Sequence, residues 1–224
     1  MSYASLIKTL GISIDSALLE LALTHSSYAY ENGKIPDNER LEFLGDSVLG
    51  FVVTGHIYST NPTLDEGSLS RIRNAAVSAK TLAVAAKNIG LGEHLRLGKG
   101  ELATAGQDKP NILADALEAL IGAAYISLGL DAAKKIIDDF VIPLIDSADE
   151  LLETSEPRTV LQELLKSANK GEATFEVTHE GPDHDRTFFA NVVVDGSTLA
   201  TGSGRSRKAA EAEAAIAALK ALRG

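Results

Sequence analysis

Two short stretches of the sequence each carry a pair of carboxylates at helical spacing, surrounded by apolar residues. In NERLEFLGDS, Glu42 and Asp46 are four residues apart, and in ILADALEALIGA, Asp115 and Glu118 are three apart. Residues at these spacings lie on the same face of a helix. If the two helices pack together, four acids converge, and burying them without a counter-charge is costly. A divalent cation would supply that charge.

The chemistry of these side chains indicates which cation would fit. Carboxylate oxygens are hard ligands that suit Mg²⁺, or Mn²⁺ in its place, rather than zinc. The chain has no cysteine, which excludes a thiolate zinc site. Taken alone, each acid pair is also typical of the solvent-facing side of an amphipathic helix. Two such pairs in one chain favour the metal site. His25, in LTHSSYA, fits a structural role better than a catalytic one.

The elements that must position these acids are predicted to be helices. Apolar residues at a spacing near 3.6 predict helices over 3–10, 15–24, 38–59, 66–88, 111–128 and 131–146. The polar, acidic stretch SADELLETSEP follows them. We therefore expect an all-helical domain over residues 1–148 and a linker over 149–156.

The remaining residues, 157–224, have a different pattern. A helix is predicted over 157–169, followed by strands over 173–180, 187–196 and 197–202 and an alanine-rich final helix. The dipeptide Asp195-Gly196 is a strong signal for a hairpin between the last two strands. The predicted fold class is therefore a mainly α N-terminal domain followed by a small α+β domain of order α-β-β-β-α.

The charge is distributed unevenly along the chain. The net charge of −10 argues at first against a nucleic-acid partner. Residues 1–154 contain 12 Lys/Arg and 21 Asp/Glu, whereas residues 155–224 contain 9 and 10. The second domain is thus nearly neutral. The N-terminus lacks a secretory pattern, and the most apolar windows are shorter than the roughly 18 residues that a membrane span needs. We expect a cytoplasmic protein without a membrane partner.

Several motifs together resemble one family. NERLEFLGDSVL and ILADALEALIGA, with LTHSSYA, EGSLSRIRN and LGKGE in the same order, resemble the nuclease domain of bacterial ribonuclease III. The C-terminal α-β-β-β-α pattern, with GPDHD at 181–185 and GSGRSRKAAE at 202–211, resembles a double-stranded RNA-binding domain. The resemblance covers essentially the whole chain. The stretch AGQDKPN at 105–111 departs from the family pattern, which is richer there in arginine and serine.

The resemblance implies a homodimeric, Mg²⁺-dependent endoribonuclease that hydrolyses double-stranded RNA and leaves 5′-phosphate and 3′-hydroxyl ends. It implies no nucleotide cofactor, and it suggests ribosomal RNA precursors and other structured transcripts as substrates. By position, the metal ligands are Glu42, Asp46, Asp115 and Glu118, with Asp46 and Glu118 as the most important catalytic residues. Glu39 and Glu66 match two supporting acids of the family. Phe43 matches an aromatic residue that locks the dimer, with plain core packing as the alternative.

The resemblance also implies RNA contacts in the second domain. Thr159, Gln162 and Glu163 match positions that reach the minor groove, where the 2′-hydroxyl distinguishes RNA from DNA. His184 matches a residue that enters a second minor groove. Arg205, Arg207 and Lys208, at the start of the last helix, match cations that contact phosphates. Two other functions remain open: a non-catalytic protein that binds duplex RNA, and a metal-dependent hydrolase of small phosphate esters.

Overall fold

The computed structural model describes residues 3–145, 156–182 and 185–223, and the chain divides into two compact units, residues 1–146 and 147–224. The linker predicted over 149–156 lies, apart from Glu156, outside the described residues. His184 also lies outside them. The domain boundaries therefore stay a prediction, and each unit is described by itself.

The first unit is built from helices, as predicted. Its α-helices are α1 Ala4–Leu10, α2 Ser16–Ala22, α3 Ser26–Glu31, α4 Glu39–Thr60, α5 Glu66–Ala76, α6 Ala79–Ile89, α7 Lys99–Ala103, α8 Pro110–Leu128 and α9 Leu130–Phe140. Short 3₁₀ turns cover Leu91–His94, Gly106–Asp108 and Ile142–Leu144. The extended backbones of Thr24 and Arg96 pair in one isolated bridge.

The sequence-based prediction of one helix over 66–88 is wrong, because α5 and α6 are separate helices. Ser78 has an extended backbone, and its hydroxyl accepts the Thr81 backbone N–H at 3.3 Å. A serine in this conformation caps a new helix and stops the preceding one. The short helices α3 and α7 were also not predicted, since five or six residues carry too little periodicity.

Helix α8 forms the centre of the first unit. Eleven of its residues are buried, and it packs against α4 and α6. By length and composition, with a mean hydropathy of 1.4, it could cross a membrane, which the shorter apolar windows of the sequence did not indicate. Most of it is buried within the unit, as expected for the core helix of a globular fold.

Helices α4 and α8 approach each other closely where two glycines meet. A Cβ atom added at Gly45 would lie 1.8 Å from the carbonyl oxygen of Glu118, and one at Gly122 would lie 2.3 Å from that of Leu41. The backbones of the two helices are thus in direct contact. The acids flanking Gly45 on α4 are thereby brought close to those on α8.

The second unit has the predicted α-β-β-β-α order. Its elements are α10 Pro157–Ser167, β1 Thr174–Glu180, β2 Thr187–Val194, β3 Ser197–Gly204 and α11 Arg207–Arg223. The strands form one antiparallel sheet in the order β1-β2-β3. Asp195 and Gly196 both have positive φ, at 51° and 77°. Two such residues form a type I′ turn, which confirms the predicted hairpin.

The core of the second unit lies between the sheet and the two helices. Leu161 and Leu165 of α10 pack with Ala190 and Val192 of β2 and with the buried alanines of α11. A Cβ atom at Gly202 on β3 would lie 2.2 Å from the Ala214 backbone nitrogen. The alanine-rich composition of α11 therefore lets the helix lie close to the sheet.

Candidate active site

Three of the four predicted metal ligands converge. Glu42 on α4 and Asp115 and Glu118 on α8 each offer one carboxylate oxygen, and these oxygens all lie within 4.8 Å of one another. All three side chains are half-buried. Oxygens at this separation can bind one small divalent cation, because such an ion draws carboxylate oxygens into its coordination shell.

The pKa values of these acids show that their negative charge is poorly compensated. Burial, together with the charges of Asp46, Asp115 and Glu42, raises the pKa of Glu118 to about 8. Burial and then Asp115, Glu39 and Asp46 raise the pKa of Glu42. The pKa of Asp115 is also raised, mainly by burial. A bound cation would lower all three pKa values, since an opposite charge favours the ionised form of a carboxyl group.

Two of the other predicted acids, Asp46 and Glu39, act electrostatically on this cluster, whereas Glu66 makes its contact elsewhere. Asp46 is exposed and lies outside the group of three. Its charge nevertheless raises the pKa values of Glu42 and Glu118. Glu39 is the first residue of α4, and its charge raises the pKa of Glu42. Glu66 begins α5, where it accepts a hydrogen bond from the Ser70 hydroxyl at 2.9 Å.

His25 is a neighbour of the cluster whose position the sequence did not reveal. Its Nδ1 accepts the Ser27 backbone N–H at 3.2 Å and lies 2.8 Å from the Ser27 hydroxyl, so it caps α3. Its charge lowers the pKa of Asp115, against the larger effect of burial. His25 therefore caps α3 in the same region as the acids.

The raised pKa values predict how the stability of the metal-free protein depends on pH. Glu118 titrates near 8 when folded and near 4.5 ordinarily, so the folded state holds its proton more tightly. The resulting stabilisation is complete below about pH 4.5 and is lost as the pH rises towards 8. We expect the free energy of unfolding to fall over this range, and Mg²⁺ to raise it more at pH 8 than at pH 5.5.

Tyrosine fluorescence during urea unfolding measures this effect. All five tyrosines lie in residues 1–146 and the chain has no tryptophan, so the signal follows the first unit. Glu118→Gln should flatten the pH dependence, whereas Glu93→Gln, at an exposed glutamate of the same unit, should leave it as in the parent. An equal pH dependence in the parent and in Glu118→Gln would contradict the assignment.

Helix α4 exposes a row of aromatic side chains. Phe43 is 78% exposed, and Phe51 and Tyr58, eight and fifteen residues further along the same helix, are 70% and 72% exposed. Core packing of Phe43, the alternative left open by the sequence, is therefore wrong within the first unit. Phe51 and Tyr58 were not predicted, although their helical spacing from Phe43 was a usable signal.

Most predicted RNA-binding residues of the second unit lie on two neighbouring helices. Thr159 and Gln162 on α10 and Lys208 on α11 line one cleft, whereas Glu163 is exposed on α10. The Gln162 Oε1 accepts the Ala173 backbone N–H at 3.1 Å, which leaves the NH₂ group to donate elsewhere. Arg205 is exposed and lies 3.7 Å from Asp185.

Residues 105–109 form a compact turn before α8, and the last two residues of the stretch 105–111 begin that helix. Ala105 has a φ of 52°, and Gly106–Asp108 form a 3₁₀ turn. Lys109 donates a hydrogen bond to Glu101 at 2.6 Å, which lowers the pKa of that carboxyl. The ammonium group of Lys109 is thus bound to a carboxylate of its own chain.

Comparisons with known proteins match both units of the chain. Residues 15–145 match the family model "Ribonuclease-III-like", and residues 157–222 match "Double-stranded RNA binding motif". A protein named Ribonuclease 3 from Thermobifida fusca is 50% identical over 216 residues, which cover 96% of this chain and 90% of that protein. A second, from Streptomyces coelicolor, is 50% identical over 96% of this chain and 78% of that protein.

Solved structures also match the first unit. The crystal structure of the nuclease domain of ribonuclease III from Campylobacter jejuni superposes with a TM-score of 0.57 and 39% identity. It covers 64% of this chain and 92% of that one.

The fold and the site define an enzyme: an endoribonuclease specific for double-stranded RNA, with a helical nuclease unit that carries clustered acids and an RNA-binding unit attached to it. The chain belongs to the ribonuclease III family.

Proposed function

We propose that this protein is a Mg²⁺-dependent ribonuclease III that leaves 5′-phosphate and 3′-hydroxyl ends. The observation that carries the proposal is the convergence of Glu42, Asp115 and Glu118 on one half-buried point. A divalent cation bound there supplies Lewis-acid stabilisation of phosphate charge and activation of a water molecule. Mn²⁺ has the same preference for oxygen ligands and is expected to substitute.

The roles of the acids follow from their positions. Glu42, Asp115 and Glu118 would hold the cation directly, because their oxygens already lie within reach of one ion. Asp46 is exposed but close enough to raise the pKa values of Glu42 and Glu118. We propose that Asp46 completes the ligand set from the solvent side, and that Glu39 and Glu66 support substrate binding from outside the cluster.

The second unit would position the duplex. Thr159, Gln162 and Glu163 lie on one helix, as a contact with 2′-hydroxyls in the shallow minor groove of A-form RNA requires. Arg205, Arg207 and Lys208 lie at or just before the N-terminus of α11, where the helix dipole also attracts phosphate. Together with His184, which falls between β1 and β2 in sequence and outside the described residues, these residues form the proposed RNA-binding surface.

Replacing Arg205, Arg207 and Lys208 together with alanine should weaken RNA binding and reduce its dependence on salt. Each phosphate contact that is lost lowers the slope of log affinity against log salt concentration by up to about 0.9. The slope is measured with an RNA duplex without divalent cations. Replacing Lys134 and Lys135 of α9 with alanine provides a control at two exposed cations in the first unit. A triple variant with the parent's slope would contradict the clustered phosphate contact.

We further propose that the enzyme acts as a homodimer. The exposed aromatic row on α4, which includes Phe43, is an apolar surface that a second copy could cover. A second Campylobacter jejuni nuclease-domain structure, with 37% identity and a TM-score of 0.57, is described as flexible in a region involved in dimer formation. Precursors of ribosomal RNA and other structured transcripts in the cytoplasm are the substrates that we propose.

Incubation with a perfect RNA duplex, with and without Mg²⁺, followed by analysis of the product ends, tests the proposed reaction. We expect cleavage only with the cation, and products that accept ligation at their 5′-phosphates. Cleavage in EDTA, or products with 2′,3′-cyclic phosphates, would exclude the proposed chemistry.

A further inference from the structure

One buried acid in the second unit joins the two helices that carry the proposed RNA contacts. Glu211 on α11 has only 8% of its side chain exposed. Its Oε2 accepts a hydrogen bond from Arg158 Nη1 at 2.7 Å, and its Oε1 accepts one from Arg207 Nε at 2.9 Å. Arg158 belongs to α10 and Arg207 to α11. The carboxylate therefore forms a bridge between the helices.

A third element contributes to this bridge. The guanidinium of Arg158 lies over the ring of Phe175 on β1, 5.0 Å from the ring centre. Phe175 packs in turn against the core of the unit. Arg158 is thus fixed by an aromatic face and a carboxylate at the same time. The position of α10 relative to α11 is set by a directional contact as well as by apolar packing.

Both arginines keep more than half of their side chains exposed while one nitrogen of each is bound to Glu211. The side chain of Arg207 is 68% exposed although its Nε is bound to Glu211. Its terminal nitrogens can therefore donate to a phosphate while the rest of the guanidinium is held in place. Arg158 lines the same cleft as Thr159, Gln162 and Lys208, so its replacement supports the test and Glu211→Gln is the decisive variant.

We propose that Glu211 is a positioning residue that fixes the spacing of the RNA-contacting helices and thereby makes the unit selective for A-form duplexes. The inference rests on the proposed RNA contacts of α10 and α11. A duplex-RNA reader must contact the minor groove and the neighbouring major-groove phosphates at once, and their separation differs between RNA and B-form DNA. Helices with a fixed spacing discriminate between the two, whereas loosely joined helices adapt to both. A buried carboxylate that accepts two charge-assisted hydrogen bonds suits this purpose, because such bonds fix geometry as well as contribute energy.

Glu211→Gln removes the bridge with little change in shape. An amide offers one acceptor oxygen and one donor group, so only one of the two guanidiniums can keep its hydrogen bond. The other arginine is released, and its charge, no longer neutralised by the carboxylate, attracts any duplex. We expect the preference for an RNA duplex over a DNA duplex of the same sequence to fall roughly tenfold.

The matched control is Glu213→Gln on the same helix. Glu213 is exposed and accepts the Ser203 backbone N–H at 2.9 Å. The substitution makes the same change in charge two residues away and leaves the bridge intact. Its preference for RNA should stay within about twofold of the parent.

A second pair of variants covers the case in which Glu211→Gln does not fold. Arg158→Met keeps an apolar contact over Phe175 and removes the guanidinium, while Lys166→Met removes a charge from an exposed position of the same helix. Arg158→Met should lower the preference for RNA, and Lys166→Met should preserve it.

All variants are measured as full chains in EDTA, so that no RNA is cut, with amide NMR spectra to establish folding. A parent that binds RNA and DNA duplexes equally would refute the proposed RNA-binding function itself. If the parent prefers RNA, then an unchanged preference in folded Glu211→Gln, or in Arg158→Met where Glu211→Gln is unfolded, overturns the inference. An equal loss in Glu211→Gln and Glu213→Gln overturns it as well.

Discussion

Glu118→Gln is expected to abolish cleavage of duplex RNA in Mg²⁺ while binding remains close to that of the parent. Glu118 has the largest rise in pKa of the clustered acids, to about 8, because burial and three carboxylates act on it together. Replacing Glu118 should therefore impair the site more than replacing any other clustered acid, since the other acids act on its carboxylate. We expect a loss on the order of 10³-fold in the cleavage rate, the scale found when one preorganised charge-stabilising group is removed.

The stability of this variant separates a catalytic loss from misfolding. Removing the charge relieves repulsion within the cluster, so Glu118→Gln should be at least as stable as the parent at pH 8 without metal. Urea unfolding followed by tyrosine fluorescence measures this stability, and a gel-shift assay in EDTA measures RNA binding. Glu93→Gln serves as the control at an exposed acid. Cleavage by Glu118→Gln at the parent's rate would remove this acid from the active site.

Gly45→Ala is expected to have the second largest effect, acting on both folding and cleavage. The added methyl group would lie 1.8 Å from the Glu118 carbonyl oxygen, so α4 and α8 must move apart. Overpacking of this kind costs about 1–3 kcal/mol. The movement also separates Glu42 from Asp115 and Glu118, and even a shift of about 1 Å can reduce a rate by roughly 10²-fold.

Gly55→Ala on the same helix is the matched control for stability. A Cβ atom there meets no atom within 4 Å among the residues that the structure describes. Alanine is a better helix former than glycine, so this variant should gain about 0.5–1 kcal/mol. Cleavage by Gly45→Ala is then measured at a temperature where its tyrosine signal shows it folded. Parent-like stability and cleavage in Gly45→Ala would show that the close approach of the helices is not required.

Local patterns in the sequence predicted a large part of the architecture. Asp195-Gly196 predicted the hairpin because few residues other than Asn, Asp and Gly adopt positive φ at both turn positions. The single helix predicted over 66–88 was wrong because a capping hydrogen bond of Ser78 interrupts an otherwise continuous apolar period. Periodicity reports which face of a helix is buried. It does not report whether the helix continues through a residue that can act as an N-cap.

For the candidate site too, the sequence determined some features and the tertiary structure determined others. The sequence by itself determined that Glu42 and Asp46 share one helical face and that Asp115 and Glu118 share another, because helical geometry depends on spacing alone. Only the tertiary structure decided that three of these acids meet within 4.8 Å while Asp46 stays exposed. That outcome depends on the contact of α4 with α8 at Gly45 and Gly122. Contacts between residues far apart in the chain are set by the packing of whole helices, which no local spacing encodes.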